Sequence, residues 1–154
     1  MEFRRLPHYT AGGFDEAEFL ISTNPGEPAR PLGMVASGGE LSRIMLALKA
    51  VLAETDDIPT LIFDEIDTGI SGRTAQMVSE KLSLIAESHQ VICITHLPQI
   101  AAMADSHYEI RKTARDGRTA TQIQRLSEEQ SIDELARLLG GAEITEAVRQ
   151  NARE

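Results

Sequence analysis

The sequence is poor in the residues that several kinds of chemistry require. It has one cysteine, Cys93, no tryptophan, and only 4% aromatic residues in 154. A lone thiol forms no internal disulfide, and with no CxxC pair or ligand-like histidine spacing a zinc site is not expected. No apolar run approaches the ~20 residues that span a bilayer, and Met1-Glu2-Phe3-Arg4-Arg5 lacks the apolar stretch of a signal peptide. A cytoplasmic chain with no membrane partner is expected. Positive charge is also scarce: 15 Lys and Arg stand against 24 Asp and Glu, a net charge of −9. Such a chain has no global field attracting nucleic-acid phosphates, so autonomous DNA binding is disfavoured. The small basic groups, Arg4-Arg5 and Arg111, Lys112, Arg115 and Arg118, read as solvated strand ends.

What is present is an ordinary globular composition, 42% apolar and 25% charged. That suits one domain, residues 1–154, with an aliphatic core. Residues 1–13 carry little signal and are expected to be a poorly structured lead-in ending in a turn at Gly12-Gly13. Residues 18–22 suggest a strand, stopped by Asn24-Pro25-Gly26-Glu27-Pro28. Arg30 to Val35 reads as a loop. Leu41 to Ala53 is rich in strong helix formers and apolar around most of its circumference, which predicts a helix buried on more than one side.

Thr60-Leu61-Ile62-Phe63 and Val91 to Thr95 are short apolar runs without alternation, the pattern of parallel strands buried on both faces. Between them lies a helix over roughly 72–88, with Ser71 as its N-cap. Together these form a βαβ unit with a parallel crossover. A short helix over 98–103 follows. Strands over 108–112 and 119–126 flank the turn signal Asp116-Gly117. Helices starting at Ser131 and Glu143 finish the chain, the first stopped by Gly140-Gly141. The expected fold class is α/β, mainly a parallel sheet flanked by helices, with a β-hairpin and C-terminal helices.

Three short motifs carry chemistry. Asp64-Glu65 closes the first apolar strand, at the carboxyl end where open α/β sheets bind ligands. In P-loop NTPases an Asp there helps hold Mg²⁺, and a following Glu can activate water. The plain alternative is the start of a polar loop. Ser37-Gly38-Gly39-Glu40 precedes a long helix, whose free N–H groups and close-approach glycines suit a phosphate. The alternative there is a simple N-cap on a Gly-Gly hinge. Thr95-His96 ends the second apolar strand, which places His96 beside Asp64 and Glu65, where an imidazole can contact phosphate or water. A structural histidine is the alternative. His8, His89 and His107 show no partner pattern.

The order of these motifs resembles that of the ABC ATPases. Ser37-Gly38-Gly39-Glu40-Leu41-Ser42-Arg43 is similar to their signature in its SMC-like form, and Leu61 to Glu65 to Walker B. Asp67-Thr68-Gly69-Ile70-Ser71-Gly72 resembles the D-loop, and Thr95-His96-Leu97-Pro98-Gln99 the H-loop. Phe19 to Pro28 and Thr95 to Asp105 resemble the RecN family in particular. The likeness covers roughly residues 12–150. It implies the C-terminal lobe of an ATPase head, with residues 36–112 as its motif-bearing core and 131–154 as C-terminal helices.

The resemblance also implies roles. Glu65 and His96 would be catalytic, and Asp64 would hold Mg²⁺ through water in the family's manner. Ser37, Gly38, Gly39 and Glu40 would face ATP on an opposing head, with Asp67, Gly69 and Ser71 along that interface. The implied cofactors are ATP and Mg²⁺. The implied partners are an N-terminal P-loop half of the same head, a second head and, for the intact protein, DNA. The setting would be double-strand break repair and recombination, within the SOS response, in the bacterial cytoplasm at the nucleoid.

One part of the pattern is missing. The three lysines, Lys49, Lys81 and Lys112, lie in no GxxxxGK[ST] sequence, so this stretch contains no P-loop. No heptad run is present either, and the chain is expected to begin after the coiled coil that separates the two halves of such heads. ATP hydrolysis by this chain alone is therefore not expected. Two other classes compete: a catalytically silent module that docks on a partner head, and a transporter ATPase subunit. The SGGE form and the absence of a membrane-docking context disfavour the transporter.

Overall fold

The computed structural model describes residues 1–22, 26–35, 37–52, 57–115, 118–141 and 144–153. In chain order the elements are β1 (Glu2–Thr10), β2 (Gly13–Glu18), β3 (Leu20–Ile21), β4 (Arg30–Pro31), α1 (Leu32–Val35), α2 (Gly38–Leu52) and β5 (Thr60–Phe63). Then come α3 (Gly72–Ala86), β6 (Gln90–Cys93), α4 (Pro98–Ala101), β7 (Tyr108–Arg115), β8 (Arg118–Arg125), α5 (Glu128–Gly140) and α6 (Glu146–Asn151).

The centre is the βαβ unit β5–α3–β6. The strands are parallel, with Thr60 opposite Gln90 and Phe63 opposite Cys93. Leu61 and Phe63 point to one face and meet α3, which buries Ala75, Val78, Ser79, Leu82 and Ile85 at helical spacing. Leu46 of α2, Ile66 after β5 and Ile100 of α4 complete the cluster.

The other face of the pair differs from expectation. Ile62 is 68% exposed, and Ile92 and Ile94 are 46% and 48% exposed. The strands are apolar on both faces, but only one is covered. Helix α2 repeats this pattern: Gly39 and Leu46 are buried, while Leu41, Met45, Val51 and Leu52 face solvent. Its full apolar circumference exceeds what this chain alone covers.

The parallel component is this single pair; the other described pairs are antiparallel. Residues 1–13 are not an unstructured lead-in. β1 pairs with β2, turning through Ala11-Gly12, with Gly13 at φ +109°. Tyr9 packs on Phe14 at 4.0 Å between ring centroids, and the Arg5 guanidinium lies over the same ring. This cross-strand cluster holds a hairpin whose sequence shows no simple alternation. The expected strand at 18–22 is divided between β2 and β3, and the expected loop at 30–35 contains β4 and α1.

Strands β7 and β8 form the expected hairpin, Tyr108 opposite Arg125 through Arg115 opposite Arg118. Its turn signal, Asp116-Gly117, lies outside the described residues, as do Asn24-Pro25 and Asp56. Helix α5 starts three residues before Ser131. The reason is a capping box: Ser127 Oγ accepts from Gln130 N–H, and the Gln130 side chain accepts from Ser127 N–H. Gly141, at φ +68°, ends it. Arg149 of α6 ties back to Asp133 at 2.8 Å. Helix α6 is capped by Thr145 and ends at Asn151, before the expected Arg153; the expected start, Glu143, lies outside the described residues.

Candidate functional site

Three segments far apart in sequence meet at the carboxyl end of β5. The strand leads straight into Asp64 and Glu65, both exposed. Ile94 N–H donates to Phe63 O at 3.0 Å, carrying the parallel pairing one step further and bringing the Thr95-His96 segment alongside. Asp64 Oδ1 accepts from the Glu65 N–H at 2.9 Å, and Glu65 has φ +57°. That left-handed conformation is uncommon for a residue with a Cβ, and such outliers cluster at functional sites.

The start of α2 docks on this corner. Ser37 and Glu40 cap it reciprocally: Glu40 N–H donates to Ser37 Oγ at 3.3 Å, and Ser37 N–H to Glu40 Oε2 at 3.1 Å. One turn on, Ser42 Oγ–H donates to Asp64 O at 2.7 Å. Arg43 donates through Nη1 to Ile66 O at 3.0 Å and Thr68 O at 2.9 Å. Gly39 is the glycine that the backbone approach requires. A Cβ on Gly38 would fall on the Glu65 carboxylate, and one on Gly39 would lie 2.7 Å from Glu65 O. Gly39 is enclosed by its own chain, whereas Ser37 and Gly38 are exposed.

The turn after β5 runs through Asp67, Gly69 and Ser71. Thr68 N–H donates to Glu65 O, and Gly69 has φ +75°. Gly69 and Ser71 face solvent; Ser71 is the N-cap of α3 by position, but its side chain makes no capping bond. Asp67 turns inward and is only 4% exposed. Its Oδ2 accepts from Thr95 Oγ–H at 2.6 Å and from His96 N–H at 2.7 Å, and lies 2.9 Å from His96 Nδ1. Burial pushes the Asp67 carboxyl up, but the Thr95 hydroxyl and His96 amide together hold it below the usual carboxylate range. The His96 ring itself is 71% exposed.

The motif residues therefore form one surface corner, not a cavity. A cleft of about 400 Å³ elsewhere on the chain is lined by Ser106, His107, Arg125, Ser127 and Ser131 among others, and by none of them. Of the other histidines, His107 Nδ1 pairs with Ser131 Oγ at 2.7 Å, and His89 is buried with Nδ1 against Ser88 Oγ. Among the described residues no group of three His, Cys, Asp or Glu could hold a metal, and no helix is long and apolar enough to cross a membrane. Three residues that knit the corner, Ser42, Arg43 and Thr95, lie within the motifs but have no role legible there: they act through backbone groups and a buried carboxylate that only folding brings near.

No family model matches the chain. It is 50% identical over 145 residues to the DNA repair protein RecN of Bacillus subtilis, covering 94% of this chain and 25% of that one. The corresponding figures are 49% over 146 residues for RecN of Halalkalibacterium halodurans (95% and 26%) and 51% over 147 for RecN of Vibrio cholerae (96% and 26%). The chain thus spans about a quarter of the length of these curated relatives. Among solved structures it is similar to an Smc head domain with a coiled coil and joint from Pyrococcus yayanosii. The TM-score is 0.59 at 25% identity, over 80% of this chain and 22% of that one. A structure from work on ATP-driven dimerization and DNA-stimulated activation of SMC ATPases shares the fold, at TM-score 0.50 and 24% identity, over 78% of this chain and 79% of that one. Over nearly its whole length the chain is similar to the C-terminal part of RecN proteins, and it shares its fold with SMC-type ATPase heads.

Proposed function

We propose that this chain is the C-terminal lobe of a RecN-type ATPase head, supplying Walker B and H-loop residues to a nucleotide site completed by a P-loop from elsewhere, and signature and D-loop residues to the contact with a second head. The carrying observation is the convergence of Ser37–Glu40, Asp64-Glu65 and Asp67–His96 on one exposed corner. Residues 36–112 form its motif-bearing core and 131–154 its C-terminal helices. The uncovered apolar face of Ile62, Ile92 and Ile94 suits a further layer packed from the rest of the head, since parallel sheets are covered on both faces.

The corner fits a magnesium nucleotide. Mg²⁺ commonly takes one or two carboxylates plus phosphates and water, so a lone exposed Asp64 suffices without a three-ligand cluster. Bound Mg²⁺ would neutralise charge on the transferring phosphoryl group. Glu65, exposed beside Asp64, would accept the proton of the attacking water. His96 would present its ring to the γ-phosphate. Ser37 and Gly38, exposed at the amino end of α2, would offer hydroxyl and N–H donors to ATP on a second head, with Gly69 and Ser71 along that contact. Gly39 and Glu40 would serve that surface indirectly, by packing and capping. In the intact protein the cycle would act in DNA repair at the bacterial chromosome, with DNA as the distal partner.

Glu65→Gln in a head completed with its P-loop half tests this assignment. Hydrolysis should fall by on the order of 100-fold or more while ATP-driven head association persists. Turnover at the unsubstituted rate would remove Glu65 from the role.

A further inference from the structure

We infer that Asp67 is a positioning residue that fixes the His96 ring in the Nδ1–H tautomer, leaving Nε2 as the nitrogen presented outward; the functional part of this inference rests on the nucleotide-site assignment above. Three groups of the H-loop converge on Asp67 Oδ2: Thr95 Oγ at 2.6 Å, His96 N at 2.7 Å and His96 Nδ1 at 2.9 Å. The His96 amide can only donate. The Thr95 hydroxyl oxygen already accepts from Leu97 N–H at 3.0 Å, so its own hydrogen is free to point at Asp67. A carboxylate oxygen receiving these donors is an acceptor, and Nδ1 meets it favourably only by carrying the proton.

The carboxylate is itself held in place. Ile66 beside it is fully buried, and Arg43 bonds the carbonyls of Ile66 and Thr68 on either side. Arg43 thus fixes the backbone of the D-loop, the D-loop aims Asp67, and Asp67 aims His96. Arg43 of α2 is linked to His96 through hydrogen bonds at either end of the short Ile66–Thr68 backbone. This gives the inward Asp67 a role different from that of Gly69 and Ser71, which face solvent. The arrangement follows the logic of a carboxylate orienting an imidazole whose far nitrogen does the work.

Nitrogen-15 NMR of the His96 ring in the 154-residue chain, at mildly alkaline pH, reads the tautomer directly. An unrestrained neutral imidazole in water favours Nε2–H; the Asp67 contact requires Nδ1–H. Nε2–H in the unsubstituted chain would overturn the inference. Asp67→Ala should restore Nε2–H, and persistence of Nδ1–H there would also overturn it. Should Asp67→Ala not fold, Asp67→Asn, of the same size, should shift the population toward Nε2–H, and no shift would count against the inference. Thr95→Val should leave the tautomer as it is.

In a head completed by the P-loop half, Asp67→Ala should lower kcat on the order of 100-fold with KM little changed. Unchanged kcat would overturn the functional part. Full turnover by Glu65→Gln would defeat the site assignment without touching the NMR result. The wrong tautomer with a silent Glu65→Gln would defeat the positioning role alone.

Discussion

The two faces of the β5–β6 pair carry apolar residues with opposite fates. On one, Leu61 and Phe63 pack beneath α3 and are nearly sealed; on the other, Ile62, Ile92 and Ile94 lie open. Alternation along a strand normally records which face meets water. Here Thr60 and Gln90 start the open face, but a β-branched aliphatic stands at each later open position. The uncovered face is aliphatic like an interior, which fits the proposed lobe, whose open face another layer would cover.

This contrast can be broken most sharply by truncation. Phe63→Ala, on the covered face, should destabilise the chain by about 3–5 kcal/mol, and Ile85→Ala by about 2–5 kcal/mol, because each leaves a cavity. Ile62→Ala and Ile94→Ala, on the open face, should fall within about 0.5 kcal/mol. Denaturant midpoints of the four variants decide the matter. A loss at Ile62 comparable to that at Phe63 would mean the open face is covered in solution, by a second copy or by chain rearrangement.

A smaller contrast lies between the adjacent glycines. Gly39→Ala directs a methyl at the Glu65 backbone carbonyl, which cannot swing away, and should cost roughly 1–3 kcal/mol. Gly38→Ala meets only the end of the Glu65 side chain, which can move. It should be near neutral in stability, regaining part of the roughly 1 kcal/mol that glycine forfeits in a helix. Thermal melts that rank the two the other way would show that the corner packs differently.

The smallest expected effect concerns Cys93. Burial first, then the charges of Asp67 and Asp64, push its thiol up to about 11. Its folded-state pKa lies above the ordinary thiol value, so alkylation at neutral pH should be slow and should quicken as pH climbs toward 11. Rapid labelling at neutral pH would show that the covered face of the sheet opens.

Much of the corner was legible in the sequence, because short apolar runs ending in Asp64-Glu65 and Thr95-His96 fix both the strands and the end at which they meet. Ser37-Gly38-Gly39-Glu40 likewise announces a capped helix, and the structure adds the reciprocal bonds. What escaped was cross-chain packing. The β1–β2 hairpin depends on Arg5, Tyr9 and Phe14 meeting across strands. The early start of α5 depends on a Ser127–Gln130 box lying just before a more acidic candidate. The inward turn of Asp67 depends on Arg43 and Thr95, which are distant in sequence. The expectation that α2 is buried on more than one side and both strands on both faces presumed cover that the described residues do not supply.

The central claim, that this chain is a complementing lobe, is tested most directly by ATPase activity of the chain alone and mixed with the P-loop-bearing remainder of a RecN protein. The account predicts no hydrolysis alone and hydrolysis on mixing. Hydrolysis by the chain alone, or silence after the two parts are shown to associate, would contradict it.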